Sequence, residues 1–143
     1  PKGHYFAGAA LHTRHFKIDN EGEMATSDDA TNNTTCAWWI YGEQTIWSVD
    51  DKNISAMLQY SENTNHSNGC YMFAEAGCAY KDSKNECGIS AQYARFNQGT
   101  ECSLELTWKR QLTESIAIQP YFQYINNKNG DFTVLCTRLY YSF

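Results

Sequence analysis

The 143-residue chain has no apolar run long enough to span a bilayer as a helix, only two prolines, no dense cluster of Lys and Arg, and no C-x-x-C. A spanning helix needs roughly 20 consecutive apolar residues, and the longest stretch here, "CAWWIYG" at 36–42, stops at Glu43. A helical membrane protein is therefore excluded. No basic segment leads into an apolar one as in a signal peptide, and Pro1 is no natural initiator. The chain is expected to begin after a cleavage or inside a longer protein. Without a basic tract to track phosphates, and at a net charge of −5, nucleic acid is not an expected partner. No Ser-His-Asp or paired-carboxylate motif stands out, so no enzyme and no cofactor are expected. Metal ligation finds no support either. The cysteines lack zinc spacing, His12 and His15 of "HTRH" fall on opposite faces of a strand, and "NEGE" and "DDA" lack the spacing of a calcium loop.

What the chain has in abundance is aromatic side chains, 15% of all residues with ten Tyr, seven Phe and four Trp, a composition that favours strands. Apolar residues alternate with polar or small ones along eight segments: 4–16, 36–47, 54–61, 70–80, 86–96, 102–112, 115–125 and 132–143. Period 2 argues half-buried strands. In 102–112, Leu104, Leu106 and Trp108 oppose Ser103, Glu105, Thr107 and Lys109. In 115–125, Ile116, Ile118, Pro120, Phe122 and Tyr124 oppose Ala117, Gln119, Tyr121 and Gln123. In the last segment Leu135, Leu139, Tyr141 and Phe143 oppose Cys136, Arg138, Tyr140 and Ser142. The pair Trp38-Trp39 leaves the facing of its segment ambiguous by one residue.

The connections 17–35, 48–53, 62–69, 81–85, 97–101, 113–114 and 126–131 are rich in Asn, Ser, Asp, Gly and Lys, the turn formers. Taking alternate connections as one side gathers the longest, 17–35, with the next longest, and leaves short turns on the other, the pattern of an outer-membrane barrel. Alternation alone does not separate a soluble barrel, apolar inside, from a membrane barrel, apolar outside. Segment length near the roughly 9–11 residues of a tilted spanning strand and aromatics at strand ends favour the membrane. A mean hydropathy of −0.60 is no objection, because only half of each barrel strand faces lipid. The expected fold is all-β: an antiparallel up-and-down transmembrane β-barrel, with residues 1–143 as one domain.

On this reading Glu43, Glu75, Glu105, Lys109, Arg138, His12 and Arg14 face inward. Six cysteines in a secreted chain invite a disulfide framework, yet Cys36, Cys70, Cys78, Cys87 and Cys102 fall on the apolar face, as small fillers would. Only Cys78 and Cys87, near the base of one hairpin, are placed to pair.

The C-terminal third, "LELTWKRQLTESIAIQPYFQYINNKNGDFTVLCTRLYYSF", resembles the end of the carbohydrate-selective porins (OprB-type) of Gram-negative outer membranes. That family closes with an L-E-L-T-Y-like strand, a Q-L-T turn, an L-Q-P-D-Q-Y-I-like strand and a final R-L-like strand ending in Phe. Leu104-Glu105-Leu106-Thr107-Trp108, Gln111-Leu112-Thr113, Gln119-Pro120, Gln123-Tyr124-Ile125 and Arg138-Leu139 stand at the matching places. Upstream, "WWIYGEQTIW", "CYMFAEAGCAY" and "GISAQYARF" are similar in order, so the resemblance covers 36–143 well and the first 35 residues weakly. Tyr121 replaces an expected Asp, and the six cysteines are a departure.

The resemblance implies passive diffusion of carbohydrates and small solutes across the bacterial outer membrane, with the seven inward residues lining the water path. It implies outer-membrane lipid and lipopolysaccharide, transported sugars and the barrel-assembly machinery as partners, with Phe143, Tyr141 and Leu139 as the barrel-insertion signal. Such porins have about sixteen strands, while eight close on an interior just filled by side chains. Either this chain is half of a sixteen-stranded barrel, completed by missing residues or further chains, or it is a reduced relative. The alternatives are a non-conducting eight-stranded barrel with a structural or surface-recognition role through loop 17–35, and a disulfide-stapled secreted β-domain such as a lectin-like module.

Overall fold

Each of the eight alternating segments forms a strand, because a period-2 sequence can satisfy two unlike environments only by presenting one to each face of a sheet. A computed structural model of the chain describes residues 2–13, 17–18, 24–25, 35–64 and 69–142. The elements are β1 (Gly3–His12), β2 (Lys17–Ile18), β3 (Met24–Ala25), β4 (Thr35–Val49), β5 (Lys52–Asn63), β6 (Cys70–Lys81), β7 (Asn85–Phe96), β8 (Gly99–Gln111), β9 (Ile116–Asn127) and β10 (Gly130–Tyr141). No helix occurs among them. The two short strands β2 and β3 pair with each other; the rest form an 8-stranded antiparallel sheet in the order β1-β4-β5-β6-β7-β8-β9-β10.

That order is an up-and-down meander, the wall of a barrel, but the wall is open. β10 pairs with β9 and β1 pairs with β4, and the two outer strands do not pair with each other. The seam is therefore two free edges.

Several boundaries move. The segment expected over 4–16 ends at His12, and Arg14 and Phe143 lie outside the described residues. β4 and β5 extend to Val49 and back to Lys52, into sequence whose Asp, Ser and Lys content reads as loop. The expected division into a short-turn side and a long-loop side holds at the connections after β1 and β5. It fails after β7 and β9, where Asn97–Gln98 and Lys128–Asn129 are tighter than 112–115 on the other side. Gly99 and Gly130 make those reversals feasible, with φ of 149° and 122° that side chains rarely adopt.

Register is interrupted at identifiable residues. Between Thr45 and Trp47 the β4–β5 ladder shifts, leaving Ile46 as the extra residue of a bulge. In the β8–β9 ladder the pairing passes from Thr107↔Tyr121 to Arg110↔Ile118. Pro120, which has no N–H to donate, sits in that gap.

The sheet is one layer and has no core. Among the described residues only Ala94, Ala117 and Thr35 are buried. The accessible surface is 10355 Å², against about 7,500 Å² for a compact soluble protein of 16.4 kDa. Leu11, Leu58, Leu135, Leu139 and Tyr141 are each more than 60% exposed, so this architecture leaves its apolar side chains outward.

Candidate functional site

Residues opposite one another across a ladder point the same way, so the register defines the faces. From Glu43 the row runs through Met57, Gly77, Ser90, Glu105 and Gln123 to Val134. The next row runs from Tyr41 through Gln59, Glu75 and Gln92 to Ser103. Two rows towards the turn 82–84, Lys81, Glu86 and Lys109 stand side by side on β6, β7 and β8, and Arg138 stands opposite Gln119. His4 opposes Glu43, which puts His12 on the same face at the far end of β1. Glu43, Glu75, Glu105, Lys109, Arg138 and His12 thus share one polar face. His12 is remote from the other five.

Small residues hollow that face. Gly77, Ala79, Gly88 and Ser90 floor a recess of about 300 Å³ whose rim includes Glu43, Glu75, Glu86 and Glu105. A side chain at Gly77 would press on Ser90 and the Ile89 carbonyl at 3.0 Å, so the floor is as low as the backbone permits. Among the described residues no group of three His, Cys, Asp or Glu side chains is close enough to hold a metal ion.

Beside the recess a hydrogen-bond chain crosses four strands in one direction. The Tyr121 hydroxyl donates to Gln123 Oε1 at 2.6 Å, and Gln123 Nε2 donates to Ser103 Oγ at 3.5 Å. Ser103 Oγ then donates to Gln92 Oε1 at 2.9 Å, and Gln92 Nε2 to Glu75 Oε1 at 3.2 Å. Tyr41 separately donates to Glu43 Oε2 at 3.0 Å. Every donor in the chain points towards Glu75, whose charge orders the amides and hydroxyls behind it.

The cations are held differently. Lys109 Nζ lies 4.6 Å from the centre of the Tyr140 ring, and the Arg138 guanidinium lies 5.7 Å from that of Tyr121. The Tyr140 hydroxyl donates to Gln119 Oε1 at 2.6 Å. Glu86, opposite Lys109, is instead 3.8 Å from Lys81. The face is thus acidic around the recess and basic towards β10.

Lys81 escaped the sequence analysis because 81–85 looks like a turn, and Glu86 because it stands at the very start of its segment; continuing the alternation of β6 and β7 out to the turn would have found both. Gln92, Ser103, Gln119, Gln123 and Tyr121 were visible only as polar background.

On the opposite face stand Leu58, Ile89, Leu104, Leu106, Trp108, Tyr124, Leu139 and Tyr141, all exposed. Trp38 belongs here, 5.2 Å from the Tyr60 ring, while Trp39 lies across Gly8 on the polar face. Cys78 and Cys87, the one pair of cysteines that the sequence placed near each other, share this face. Cys78 faces Ile89 and Cys87 faces Tyr80, so the two are offset by two residues, and all six cysteines are free.

Outside the strands the turn between β6 and β7 has its own anchor. The N–H groups of Lys84 and Asn85 donate to Asp82 Oδ1 at 2.8 and 2.7 Å. Those bonds, the one from Lys84 first, hold the Asp82 carboxyl below the usual carboxylate range. Ser83 N donates to Asp51 at 3.2 Å, tying this turn to the neighbouring one.

In comparison with known proteins, the family model described as carbohydrate-selective porin, OprB family, matches residues 2–139. The likeness therefore reaches through β1, further upstream than the motifs alone carried it. No curated protein and no solved structure matches the chain.

Proposed function

The chain belongs to the carbohydrate-selective porin, OprB family, and on that premise we propose that its sheet is part of the wall of an outer-membrane barrel that lets sugars and other small solutes diffuse along its polar face. The observation that carries this reading is the sorting of side chains in a coreless sheet. Glu43, Glu75, Glu105, Lys109 and Arg138 share one face, and Leu58, Leu104, Leu106, Leu135 and Leu139 stand on the other. Such a sheet is stable where lipid covers one face and water the other.

In this role Glu43, Glu75, Glu105, Lys109 and Arg138 line the water path, joined by His12 at its far end. The acidic recess and the basic patch impose a field across the path, and the amides and hydroxyls between them offer sugar hydroxyls replacements for water. Lipopolysaccharide and outer-membrane lipid cover the apolar face. Tyr141 and Leu139 on that face of β10 contribute to the signal read by the barrel-assembly machinery.

The open seam bears on the size of the barrel. Unpaired backbone groups along β1 and β10 would each cost several kcal/mol in hydrocarbon, so both edges pair with further strands, supplied by a longer chain or by other chains. A non-conducting eight-stranded barrel would need β10 against β1, and those edges are apart. Six free cysteines and the missing core disfavour a disulfide-stapled soluble domain.

Swelling of liposomes containing the refolded protein, in isotonic monosaccharide and disaccharide, tests the transport reading. Uptake that falls with solute size is expected; impermeability to all sugars would sink it.

A further inference from the structure

We propose that the β8–β10 part of the polar face is a subsite for the oxyanion of an acidic sugar, carboxylate or phosphate, bound by Lys109 and Arg138. This deepens the reading of that face as the solute path and rests on it.

The first ground is that these two cations lack anionic partners. Among the described residues neither Lys109 nor Arg138 lies within ion-pair distance of a carboxylate, and the carboxylate opposite Lys109, Glu86, is drawn to Lys81. The strand between them, β9, contains no Asp or Glu at all. Arg138 faces the neutral Gln119 across the ladder.

The second ground is that both cations are nevertheless positioned. Lys109 rests over Tyr140 and Arg138 over Tyr121. A ring face orients a cation and lowers the cost of holding it, but supplies no countercharge. Tyr140 in turn is fixed by its hydrogen bond to Gln119 Oε1, which leaves the Gln119 amide nitrogen as a donor between the two charges. Lys109, Gln119 and Arg138 therefore present an ammonium, an amide N–H and a guanidinium on adjacent strands, all donors. An oxyanion accepts from all three.

The third ground is the backbone. The interruption of the β8–β9 ladder between Thr107↔Tyr121 and Arg110↔Ile118 falls on Lys109 and Gln119. Pro120 has no N–H to give to a ladder at this point, so the backbone that carries Lys109 and Gln119 is less tightly bonded across β8 and β9 than the pairs on either side.

A neutral sugar meets only hydrogen-bonding groups here, whereas a uronate or sugar phosphate adds charge-assisted bonds to two cations. The full chain, folded in detergent micelles, is titrated calorimetrically with D-glucuronate, D-glucose 6-phosphate and D-glucose at low ionic strength. At least one anionic sugar is expected to bind tenfold or more tighter than glucose, and the preferred one identifies the oxyanion. That advantage should shrink as NaCl is added. In the double variant Lys109→Gln, Arg138→Gln it should vanish, the anionic sugars binding no tighter than glucose does to the same variant, and Arg138→Lys should retain most of it.

Equal affinity for charged and neutral sugars, or a double variant that keeps the preference, would overturn the subsite. If the double variant does not fold, the salt dependence in the unmodified chain decides alone. Binding needs no open channel, so impermeable liposomes count against the transport reading and not against the subsite.

Discussion

Gln92 on β7 donates from Nε2 to Glu75 on β6 at 3.2 Å, and it does so while accepting from Ser103 on β8 at 2.9 Å. One side chain thus stitches three strands across the face that carries the charges. Gln92→Leu removes both bonds, leaving Ser103 and Glu75 to water. We expect a loss of about 1 kcal/mol, read as a lower urea midpoint for unfolding from micelles. A midpoint equal to that of the unmodified protein would mean that the chain of donors contributes nothing.

The two faces should differ in their tolerance of a new charge. Leu106→Arg places a guanidinium mid-strand on the apolar face and should cost about 2–4 kcal/mol in a bilayer. Ser55→Arg, on the polar face of β5 opposite Ala79, should cost under about 1 kcal/mol. Equal sensitivity of the two positions in lipid-vesicle folding titrations would refute the assignment of lipid to the Leu106 side.

Gly130 begins β10 at a φ of 122° with nothing within 4 Å of where a Cβ would stand. Gly130→Ala therefore isolates backbone strain from crowding, at a cost of roughly 1–3 kcal/mol. Gly69, equally open and without a positive φ, is the control, and Gly69→Ala should be close to neutral. A refolding yield that drops for both alike would point to something other than the turn geometry.

Asp82 gives the fold an acid-sensitive turn. Its folded carboxyl titrates below the unfolded value of about 3.9, because Lys84 and Asn85 donate their N–H groups to it. The folded state therefore binds the proton less readily than the unfolded state. The stabilisation is complete above the unfolded value and fades as pH falls through the folded one. Asp82→Ala should be less stable than the parent at pH 7, with the gap closing in strong acid. A gap that is constant with pH excludes the carboxylate as its source.

Thiol titration in denaturant should count six reactive cysteines without reductant, since all are free. In vesicles, Cys102 on the apolar face of β8 should react with a lipid-soluble maleimide and resist a charged one. Rapid modification of Cys102 by the charged reagent would place that face in water.

The eight strands of the main sheet and their two faces were legible from period 2 alone, because a strand exposed to unlike media on its sides must alternate; the short pair β2 and β3, inside the expected connection 17–35, was not. Trp38 and Trp39 were not, since both neighbours are apolar; the register with Gly8 and Tyr60 separates them. Contacts across strands were illegible for a related reason. Which residue faces Gln92 depends on turn lengths, and polar strand ends such as Lys52, Asn53 and Lys81 read as turn although their backbones continue the ladder. The length of the turn between β6 and β7 likewise sets Cys78 opposite Ile89 and Cys87 opposite Tyr80. The open seam has no local signature at all, because β1 and β10 alternate like every other strand.

Since every strand of the 8-stranded sheet pairs only with the strands before and after it in the sheet order β1-β4-β5-β6-β7-β8-β9-β10, the sheet can grow at its two edges. A hairpin added at either free edge leaves all existing pairings, both faces and the sidedness of the turns as they were. Circumference in such a wall is then a matter of copy number, adjustable in steps of two strands without redesigning any contact already present.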